Sequence, residues 1–314
     1  MKTRFIFNPC SGRNRRRPWL AAAIRDFISS RSVDADLVTT EAPGHATVLA
    51  RDAVSSGCAQ VVAVGGDGTM NEVAQALLYA PAALALVPCG SGNGLALHLG
   101  LPLALPEALE LAAGGPSRVA ALDTGTADGR PFFNAMGLGL DAEVSQRFNG
   151  LVKRGLPAYV RTAFGVVRTL RHERVCVTAD RVRDELEVIL LAVANSDQYG
   201  NNARIAPRAR VDDGALDLVA VAPVGFVGAA ALAMRLFAGT IDRSRHVRRW
   251  CSGHFVIDRV APGLIHTDGE THWAGARFEV TVQPRSLRVL VPMTSRVAAH
   301  VHNPTPREFA LQLL

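Results

Sequence analysis

The stretch VVAVGGDGTMNEV, residues 61–73, carries the strongest structural signal in this chain. Residues 61–64 are apolar and mostly β-branched, which predicts a buried strand. Gly65 and Gly66 then permit a tight turn and a close approach of the backbone to a ligand. Thr69 and Glu72 have the spacing of a capping box, so a helix is predicted to begin there. A strand, a glycine turn and a helix N-terminus in this order suit a bound phosphate.

Asp67 is the unexpected residue in this turn, because a carboxylate repels phosphate. A cation between the two relieves the repulsion, so Asp67 indicates Mg²⁺ carried by a nucleotide. The stretch is not a P-loop, since no Gly-Lys-Ser/Thr follows it. The alternative interpretation is an ordinary strand-turn-helix connection in a doubly wound sheet, and the local pattern alone leaves it open.

Two more polar turns follow predicted strands in the first part of the chain. The strand at residues 4–7 ends in NPCSG, and the strand at residues 83–88 ends in CGSGNG. Strands and helices alternate over residues 1 to about 120, which predicts a parallel sheet. Because the carboxyl ends of parallel strands share one edge, these turns should face one crevice. Together with Asp67, they indicate a nucleotide site.

From about Arg118 the pattern changes to short strands separated by turns rich in Gly, Asp and Pro, which predicts a largely antiparallel domain. Helical insertions are expected at residues 141–170 and 227–239. We therefore expect an α/β fold of two domains: a doubly wound nucleotide-binding domain at residues 1–122, and a β-rich, mainly antiparallel domain at residues 123–291. The tail at residues 292–314 is expected to return to the first domain.

Composition limits the class of protein. The chain has 314 residues, of which 48% are hydrophobic and 20% charged, enough for a sizeable core. Its five cysteines have no close pairs, which argues against a disulfide framework or a zinc site and favours a reducing cytoplasm. No signal-peptide pattern opens the sequence, and the longest apolar run is too short to span a bilayer. We expect a soluble or peripheral membrane protein.

Basic clusters favour anionic partners, as does the net charge of +6. Arg243, Arg245, Arg248 and Arg249 follow the apolar stretch at residues 227–239, a combination that predicts contact with anionic lipid. The arginines at residues 13–17 precede a helical pattern. A solvated charge run is the alternative for both clusters.

Two acidic turns stand out in the second part. The first, Asp212-Asp213-Gly214, is typical of either a hairpin or a divalent-cation loop. The second is Asp268-Gly269-Glu270. If this segment is extended, Asp268 and Glu270 project to the same side, and one of the two carboxylates becomes a candidate proton acceptor. A plain surface turn is the alternative.

The ordered set of motifs resembles the diacylglycerol kinase catalytic-domain family, which includes bacterial lipid kinases and the sphingosine and ceramide kinases. GGDGT alone is shared with NAD kinases and, more loosely, phosphofructokinases, whereas the ordered set is more specific. It covers residues 4 to about 290 and consists of residues 8–12, Thr40 with residues 44–46, residues 65–71, 90–93, 212–214 and 268–270.

The resemblance implies that ATP with Mg²⁺ and a lipid meet in the cleft between the two domains. It implies a structural Mg²⁺ held by the Asp213 carboxylate and the carbonyls of Arg210 and Ala215. It makes Glu270 the proton acceptor, with Asp268 beside it and Asp67 managing phosphate charge. It implies nucleotide contacts at Asn8, Pro9, Cys10, Ser11, Gly12, Thr40, Gly65, Gly66, Asp67, Gly68, Thr69, Met70, Asn71 and Ser91.

One motif departs from the family pattern. Many bacterial members read G-T-x-N-D-x-A-R at the second glycine turn, whereas this chain reads GSGNGLAL at residues 90–97. The acidic residue and the arginine are absent, so a phosphate contact at Leu97 is not expected. The Ser-Gly-Asn form is similar to the sphingosine and ceramide kinase branch. Diacylglycerol is thus the leading acceptor, and a sphingoid base or ceramide is the alternative.

We expect an ATP-dependent lipid kinase that is cytoplasmic and peripheral at the inner membrane face, with no nucleic-acid partner; a homodimer is compatible with the sequence. NAD kinase is an alternative, disfavoured by the NPCSG, SGN and DGE pieces. A non-catalytic lipid or nucleotide sensor is another, disfavoured by the intact Asp67, Asp268 and Glu270.

Overall fold

A computed structural model describes residues 2–31, 34–149 and 172–297. The first part contains four parallel strands in the spatial order β2-β1-β3-β4. These strands are β1 Thr3–Phe7, β2 Ala35–Thr39, β3 Gln60–Gly65 and β4 Ala83–Pro88. The helices that accompany them are α1 Leu20–Ser30, α2 His45–Ser55, α3 Asp67–Leu77, α4 Gly94–Leu99 and α5 Leu105–Ala112.

Helices cover both faces of this sheet because its strands are apolar on both sides. Every residue of β3 is buried. On one face α2, α3 and α4 pack through residues such as Ala50, Val73 and Leu99. On the other face α1 and α5 pack through Ile24 and Leu109. The predicted doubly wound α/β arrangement is confirmed.

Two long antiparallel strands, β5 Ser117–Ala127 and β18 Arg277–Pro292, join this sheet to the rest of the fold. β18 pairs in parallel with β4 at Val289 and continues the sheet through β15 His254–Arg259, β8 Glu173–Ala179 and β9 Val182–Val188. β18 is a single strand with an irregularity between Gln283 and Leu287. The domain boundary predicted after residue 122 falls inside β5 and stays a prediction.

A second, antiparallel sheet packs on the antiparallel part of the first. The core between them includes Met136, Leu138, Phe255 and Phe278. The predicted β-rich second part is confirmed. In spatial order the sheet consists of β14 Val247–Ser252, β13 Leu216–Val221, β10 Leu190–Ala194, β7 Ala135–Gly139, β16 Gly263–Thr267 and β17 Glu270–Ala274. The shorter strands are β6 Arg130–Phe132, β11 Gln198–Gly200 and β12 Ala203–Arg204.

Within the described residues, the second part contains the helices α6 Leu140–Asn149 and α7 Phe226–Ala238. α7 lies on the outer face of the second sheet, to which Leu232 anchors it. The rest of the helix predicted at residues 141–170 lies outside the described residues, as does most of the tail predicted to return to the first domain. Among the described helices, none has the length and apolar character needed to cross a membrane.

Candidate active site

Three loops meet at the carboxyl ends of β1, β3 and β4: the Asn8 loop (residues 8–12), the Asp67 loop (residues 65–68) and the Asn93 loop (residues 89–94). The Gly66 amide donates to Ser11 Oγ at 2.6 Å, which joins the first two loops. Asn8 Nδ2 donates to Thr69 Oγ1 at 2.9 Å. The three predicted turns therefore share one sheet edge, as a nucleotide crevice requires.

Glycine is required where the loops approach one another. A Cβ at Gly90 would lie 2.7 Å from Gly66 Cα. A Cβ at Gly12 would lie 2.4 Å from the Cys89 carbonyl oxygen, and Gly12 also has a φ of 42°. Both contacts are with backbone, which does not give way as a flexible side chain would. The glycines allow the three loops to form one compact surface.

Asp67 joins the Asp67 loop to the Asn93 loop. One carboxylate oxygen accepts the Asn93 amide at 2.9 Å, and the other accepts the Gly94 amide at 2.8 Å. Asn93 is in the left-handed conformation, with a φ of 52°, and its side chain closes the loop on Gly90. Because an ionised carboxylate offers about four lone-pair sites, Asp67 retains capacity for a cation while it holds this loop.

The predicted capping box is wrong. α3 begins at Asp67 rather than Thr69, with no side-chain cap. Thr69 Oγ1 accepts from Asn8, and the Glu72 carboxylate accepts the Ala46 amide of α2 at 3.0 Å. Both side chains are committed to tertiary contacts, which outweigh the local capping pattern.

The predicted nucleotide residues fall into two groups. Asn8, Ser11, Gly66, Asp67 and Thr69 meet at the loop edge through the hydrogen bonds given above. Pro9, Cys10, Gly12, Gly68 and the exposed Ser91 belong to the same surface, whereas Gly65 and Thr69 are buried.

The second group is buried. Thr40 ends the neighbouring strand and is 8% exposed. Met70 and Asn71 are about equally buried, so their side chains face the interior. Met70 lines a cavity of about 20 Å³ beneath Asp67 and Asn93, room for roughly one water molecule.

The second domain touches the Asn93 loop directly. The Asn201 amide donates to the Gly92 carbonyl at 3.0 Å. Gly200, with a φ of 112°, lies so close that a Cβ there would be 3.0 Å from Gly92 Cα. His98 Nδ1 and Asp197 Oδ1 lie 2.6 Å apart and tie α4 to the same segment. The Asn93 loop is thus held from both sides of the cleft.

Asp268 is not in an extended segment, which corrects the geometry expected for the Asp268–Glu270 pair. Its φ is 49° and that of Gly269 is 87°, so the two residues form the turn between β16 and β17. The Asp268 carboxylate accepts the amides of Phe133, Asn134 and Ala135 at 2.7, 2.8 and 3.0 Å. Burial raises its pKa to about 6, against the opposite effect of the three amides.

Glu270 is exposed and begins β17, where it pairs with Thr267. Among the residues that the structure describes, its carboxylate has no hydrogen-bond or ion-pair partner. Glu270 is therefore available to a substrate hydroxyl, whereas the oxygens of Asp268 are engaged by the backbone. Of the two carboxylates, only that of Asp268 is engaged by the described residues.

Asn134 connects the Asp268 turn to the nucleotide loops. Its amide donates to Asp268, and its Oδ1 accepts the Ser196 hydroxyl at 2.9 Å. A Cβ at Gly94 would lie 3.2 Å from the same Oδ1. The two acidic motifs predicted for opposite ends of the site are therefore linked through one buried side chain. The sequence analysis missed Asn134, which has no motif of its own.

The first acidic turn is organised by a buried carboxylate. Asp123 accepts the amides of Gly214 and Arg285, both at 2.7 Å. Burial raises its pKa, and the nearby charges of Asp213 and Asp212 raise it further. Asp213 Oδ1 accepts the Ala215 amide at 3.2 Å. Sequence analysis gave Asp123 no role, although an aspartate within a strand is itself unusual.

This crowding of carboxylates fits a bound cation, which would offset their repulsion. Among the described residues, no group of three or more His, Cys, Asp or Glu side chains is arranged to hold a metal ion. A cation at this turn would therefore need backbone carbonyls besides Asp213, and the predicted donors at Arg210 and Ala215 are of that kind.

Comparison with known proteins places this geometry in context. A family model described as "Diacylglycerol kinase catalytic domain" matches residues 2–125. A second, "YegS C-terminal NAD kinase beta sandwich-like domain", matches residues 134–291. A Pseudomonas aeruginosa (strain UCBPP-PA14) protein named "Probable lipid kinase YegS-like" is 32% identical over 258 residues, which cover 80% of this chain and 83% of the relative.

A Chromohalobacter salexigens protein of the same name is 33% identical over 275 residues, with 82% and 84% of the two chains covered. The crystal structure named as that of "a putative diacylglycerol kinase" from Bacillus anthracis str. Sterne matches with a TM-score of 0.78 at 24% identity, covering 95% of this chain and 96% of the other. At that identity, the structural likeness establishes the fold.

Proposed function

The chain belongs to the diacylglycerol kinase catalytic-domain family, among its YegS-like lipid kinases, and on that premise we propose that it transfers the γ-phosphoryl group of ATP to a lipid hydroxyl. Diacylglycerol is the leading acceptor. The hydroxyl oxygen forms the new bond to the γ-phosphorus, the bond to the β–γ bridging oxygen breaks, and ADP leaves. The hydroxyl proton goes to Glu270.

The observation that carries this proposal is the path from Asp268 through Asn134 to Asp67. The Asp268 carboxylate accepts a hydrogen bond from the Asn134 backbone amide at 2.8 Å, and the Asp67 carboxylate accepts one from the Gly94 amide at 2.8 Å. A Cβ at Gly94 would lie 3.2 Å from Asn134 Oδ1, so the two residues are close neighbours. This path brings the proposed acceptor end of the site next to the proposed phosphate end, as direct transfer between two substrates requires.

The loop edge would hold ATP through backbone amides and the exposed Ser91, with the N-terminus of α3 directed at phosphate. Mg²⁺ bound with ATP would neutralise phosphate charge beside Asp67. A second, structural Mg²⁺ would be held at the Asp213 turn with the carbonyls of Arg210 and Ala215. Asp123 positions that turn through the Gly214 amide.

Asp268 acts as a positioning residue in this proposal. Its three amide contacts fix the backbone that carries Asn134, and the turn places Glu270 at the start of β17. The alternative role for Asp268, beside Glu270, would be to orient the lipid hydroxyl or to share a water with the Mg²⁺ shell. The engaged oxygens favour the backbone role instead.

Two alternatives differ in the acceptor. The Ser-Gly-Asn form of the Asn93 loop favours a sphingoid base or ceramide, and NAD would be the acceptor of an NAD kinase. A sensor without activity is the third alternative. We place the protein in the cytoplasm, peripheral at the inner membrane face where the lipid resides, and a homodimer is compatible with this proposal.

One assay separates these functions. The purified chain is incubated with Mg²⁺, γ-labelled ATP and NAD, together with vesicles that contain diacylglycerol, sphingosine and ceramide. Labelled phosphatidic acid is the expected product, and its rate of formation should fall at least about 100-fold with Glu270→Gln. A labelled sphingoid base or ceramide would show that the acceptor belongs to the alternative lipid class. Labelled NADP would show that the protein is an NAD kinase and not a lipid kinase. The absence of any labelled product would indicate a sensor without activity.

A further inference from the structure

Helix α7 presents an apolar face to solvent. At about 100° per residue, Val227, Ala230, Ala231, Met234 and Ala238 fall within an arc of roughly 100°. Val227 is 81% exposed and Met234 is 69% exposed. The opposite side of the helix, at Leu232 and Leu236, packs on the second sheet. Apart from Arg235, α7 is therefore apolar all round while only one side is covered, which is unusual for a surface helix.

Near the C-terminal end of α7, three basic side chains have no carboxylate partner among the described residues. Arg235 lies in the last turn of α7, and Arg243 and Arg245 follow it; all three are exposed. No salt bridge joins any of the three to another described residue. No Asp or Glu occurs in residues 224–241, and the first acid beyond, Asp242, pairs with Arg208 at 2.8 Å. The edge of the apolar face is thus positive.

The basic cluster predicted from the sequence is only partly available. Arg248 pairs with Asp184 at 3.1 Å and stacks on Trp250 at 4.7 Å. Arg249 pairs with the buried Asp217. Two of the four predicted arginines are therefore paired with carboxylates within the fold. Arg235, which was not part of the predicted cluster, is exposed and joins the two that remain.

The charges around this face favour an anionic bilayer over a second copy of the chain as its binding partner. A symmetric dimer through α7 would bring the arginines of both copies into one interface, and residues 224–241 of neither copy supply an acid to pair with them. An anionic bilayer instead supplies apolar chains for Val227 and Met234 and negative headgroups for the arginines. The surface fits a membrane better than a second copy.

α7 is also physically connected to the cleft. At its end, a Cβ on Gly239 would lie 3.1 Å from Arg204 Cδ, and Arg204 Nε lies 3.6 Å from Asp197. Asp197 contacts His98 of α4, and the neighbouring Asn201 donates to Gly92. The end of α7 therefore lies next to residues 197–204, the segment that contacts the Asn93 loop and α4.

We propose that the outer face of α7, with Arg235, Arg243 and Arg245 at its edge, is the surface by which the chain inserts into an anionic lipid bilayer. The inference deepens the proposed function, since it names the surface that brings the site to a membrane-bound acceptor.

The test is cosedimentation of the full-length chain with phosphatidylcholine–phosphatidylglycerol vesicles, without ATP. Val227→Asp and Met234→Asp should each weaken binding about tenfold, the factor expected for losing one buried aliphatic side chain. Val260→Asp is the matched control, because Val260 is 83% exposed and lies between β15 and β16 rather than in α7; it should bind as wild type does. Arg235→Gln with Arg243→Gln should remove the preference over pure phosphatidylcholine vesicles, whereas Arg51→Gln should not.

Circular dichroism and thermal melting confirm that each variant is folded. Equal binding by the Val227→Asp and Val260→Asp variants would overturn the proposal. So would light scattering that shows a wild-type dimer converted to a monomer by Val227→Asp, since the face would then belong to a second copy.

Failure of this inference is distinguishable from failure of the proposed function. With a dispersed short-chain diacylglycerol, Val227→Asp should phosphorylate the acceptor as fast as wild type, while its rate on vesicles falls. Absence of phosphorylation by every variant and by wild type would contradict the kinase assignment, whereas the vesicle binding would still decide the role of α7.

Discussion

The carboxylate of Asp67 accepts the backbone amide of Gly94 at 2.8 Å, so the acidic residue of one glycine loop holds the other loop in place. This contact gives Asp67 a structural role in addition to its proposed role beside the phosphates. The backbone amides of Asn93 and Gly94 stabilise the negative charge of Asp67. The carboxylate therefore fits into this turn even before a ligand binds.

Replacing Asp67 with asparagine should abolish phosphoryl transfer and leave the fold intact. The amide keeps the shape but loses the charge, and its NH₂ group faces one of the two backbone donors. We expect kcat/KM for ATP to fall at least about 100-fold, the scale of losing one preorganised electrostatic contact. Asp52→Asn, at an exposed position of α2, is the matched control. Wild-type turnover by Asp67→Asn at saturating Mg²⁺ would contradict this role.

Gly90→Ala should destabilise the protein by about 1–3 kcal/mol, the usual cost of overpacking. Its Cβ would lie 2.7 Å from Gly66 Cα, and backbone cannot rotate away. Denaturant unfolding measures the change. Gly68→Ala serves as a control for stability alone, because a Cβ there meets nothing within 4 Å and the residue lies in α3. Equal stability of the two variants would show that the loops do not pack as described.

Chelation should act on stability through the Asp213 turn. A cation that binds only the folded chain raises its melting temperature, so EDTA should lower the melting temperature of wild type. In Asp213→Ala the melting temperature should already be lower and should barely respond to EDTA. An equal drop of the melting temperature with EDTA in both proteins would show that no cation binds at this turn.

Asp268 should give activity and stability opposite dependences on pH. Its pKa in the folded protein is about 6, above the usual value of a free aspartate. The folded chain therefore binds this proton more tightly than the unfolded chain, and the stability it contributes falls as pH rises between about 4 and about 6. The ionised form accepts all three amides, so kcat/KM should rise over the same interval.

Asp268→Asn should remove the stability slope over that interval when urea unfolding is measured against pH. The variant should also melt at a lower temperature, because the amide cannot accept as the carboxylate does. A stability profile that runs parallel in wild type and variant would contradict the assignment of this titration to Asp268.

The positions of the loops could be predicted from the sequence, but the residues that hydrogen-bond to them could not. Glycines at residues 65–66 and 90–94 mark turns because the backbone geometry is local, and the structure places both at one sheet edge. The Asp67–Gly94 contact joins residues 27 apart, which no periodicity encodes. The start of α3 was misplaced for the same reason, since Thr69 and Glu72 bond to distant segments.

The Asp268 turn was misread because a period of two residues was assumed through a position with positive φ. Asp-Gly is itself a turn signal, and a tight hairpin between β16 and β17 was readable from it. The engagement of Asp268 by Phe133, Asn134 and Ala135 was not readable, because those amides lie more than 130 residues away. Only the fold brings them together.

The most direct test of the account is phosphoryl transfer from γ-labelled ATP to diacylglycerol by wild type, Glu270→Gln and Asp268→Asn. A positioned proton acceptor contributes about 10²–10⁴-fold, so Glu270→Gln should lower kcat by at least about 100-fold, with the KM for ATP and the melting temperature unchanged. Asp268→Asn should cost less in kcat and lower the melting temperature. Wild-type kcat in Glu270→Gln, or a larger loss of kcat in Asp268→Asn, would contradict the assignment of Glu270 as the base.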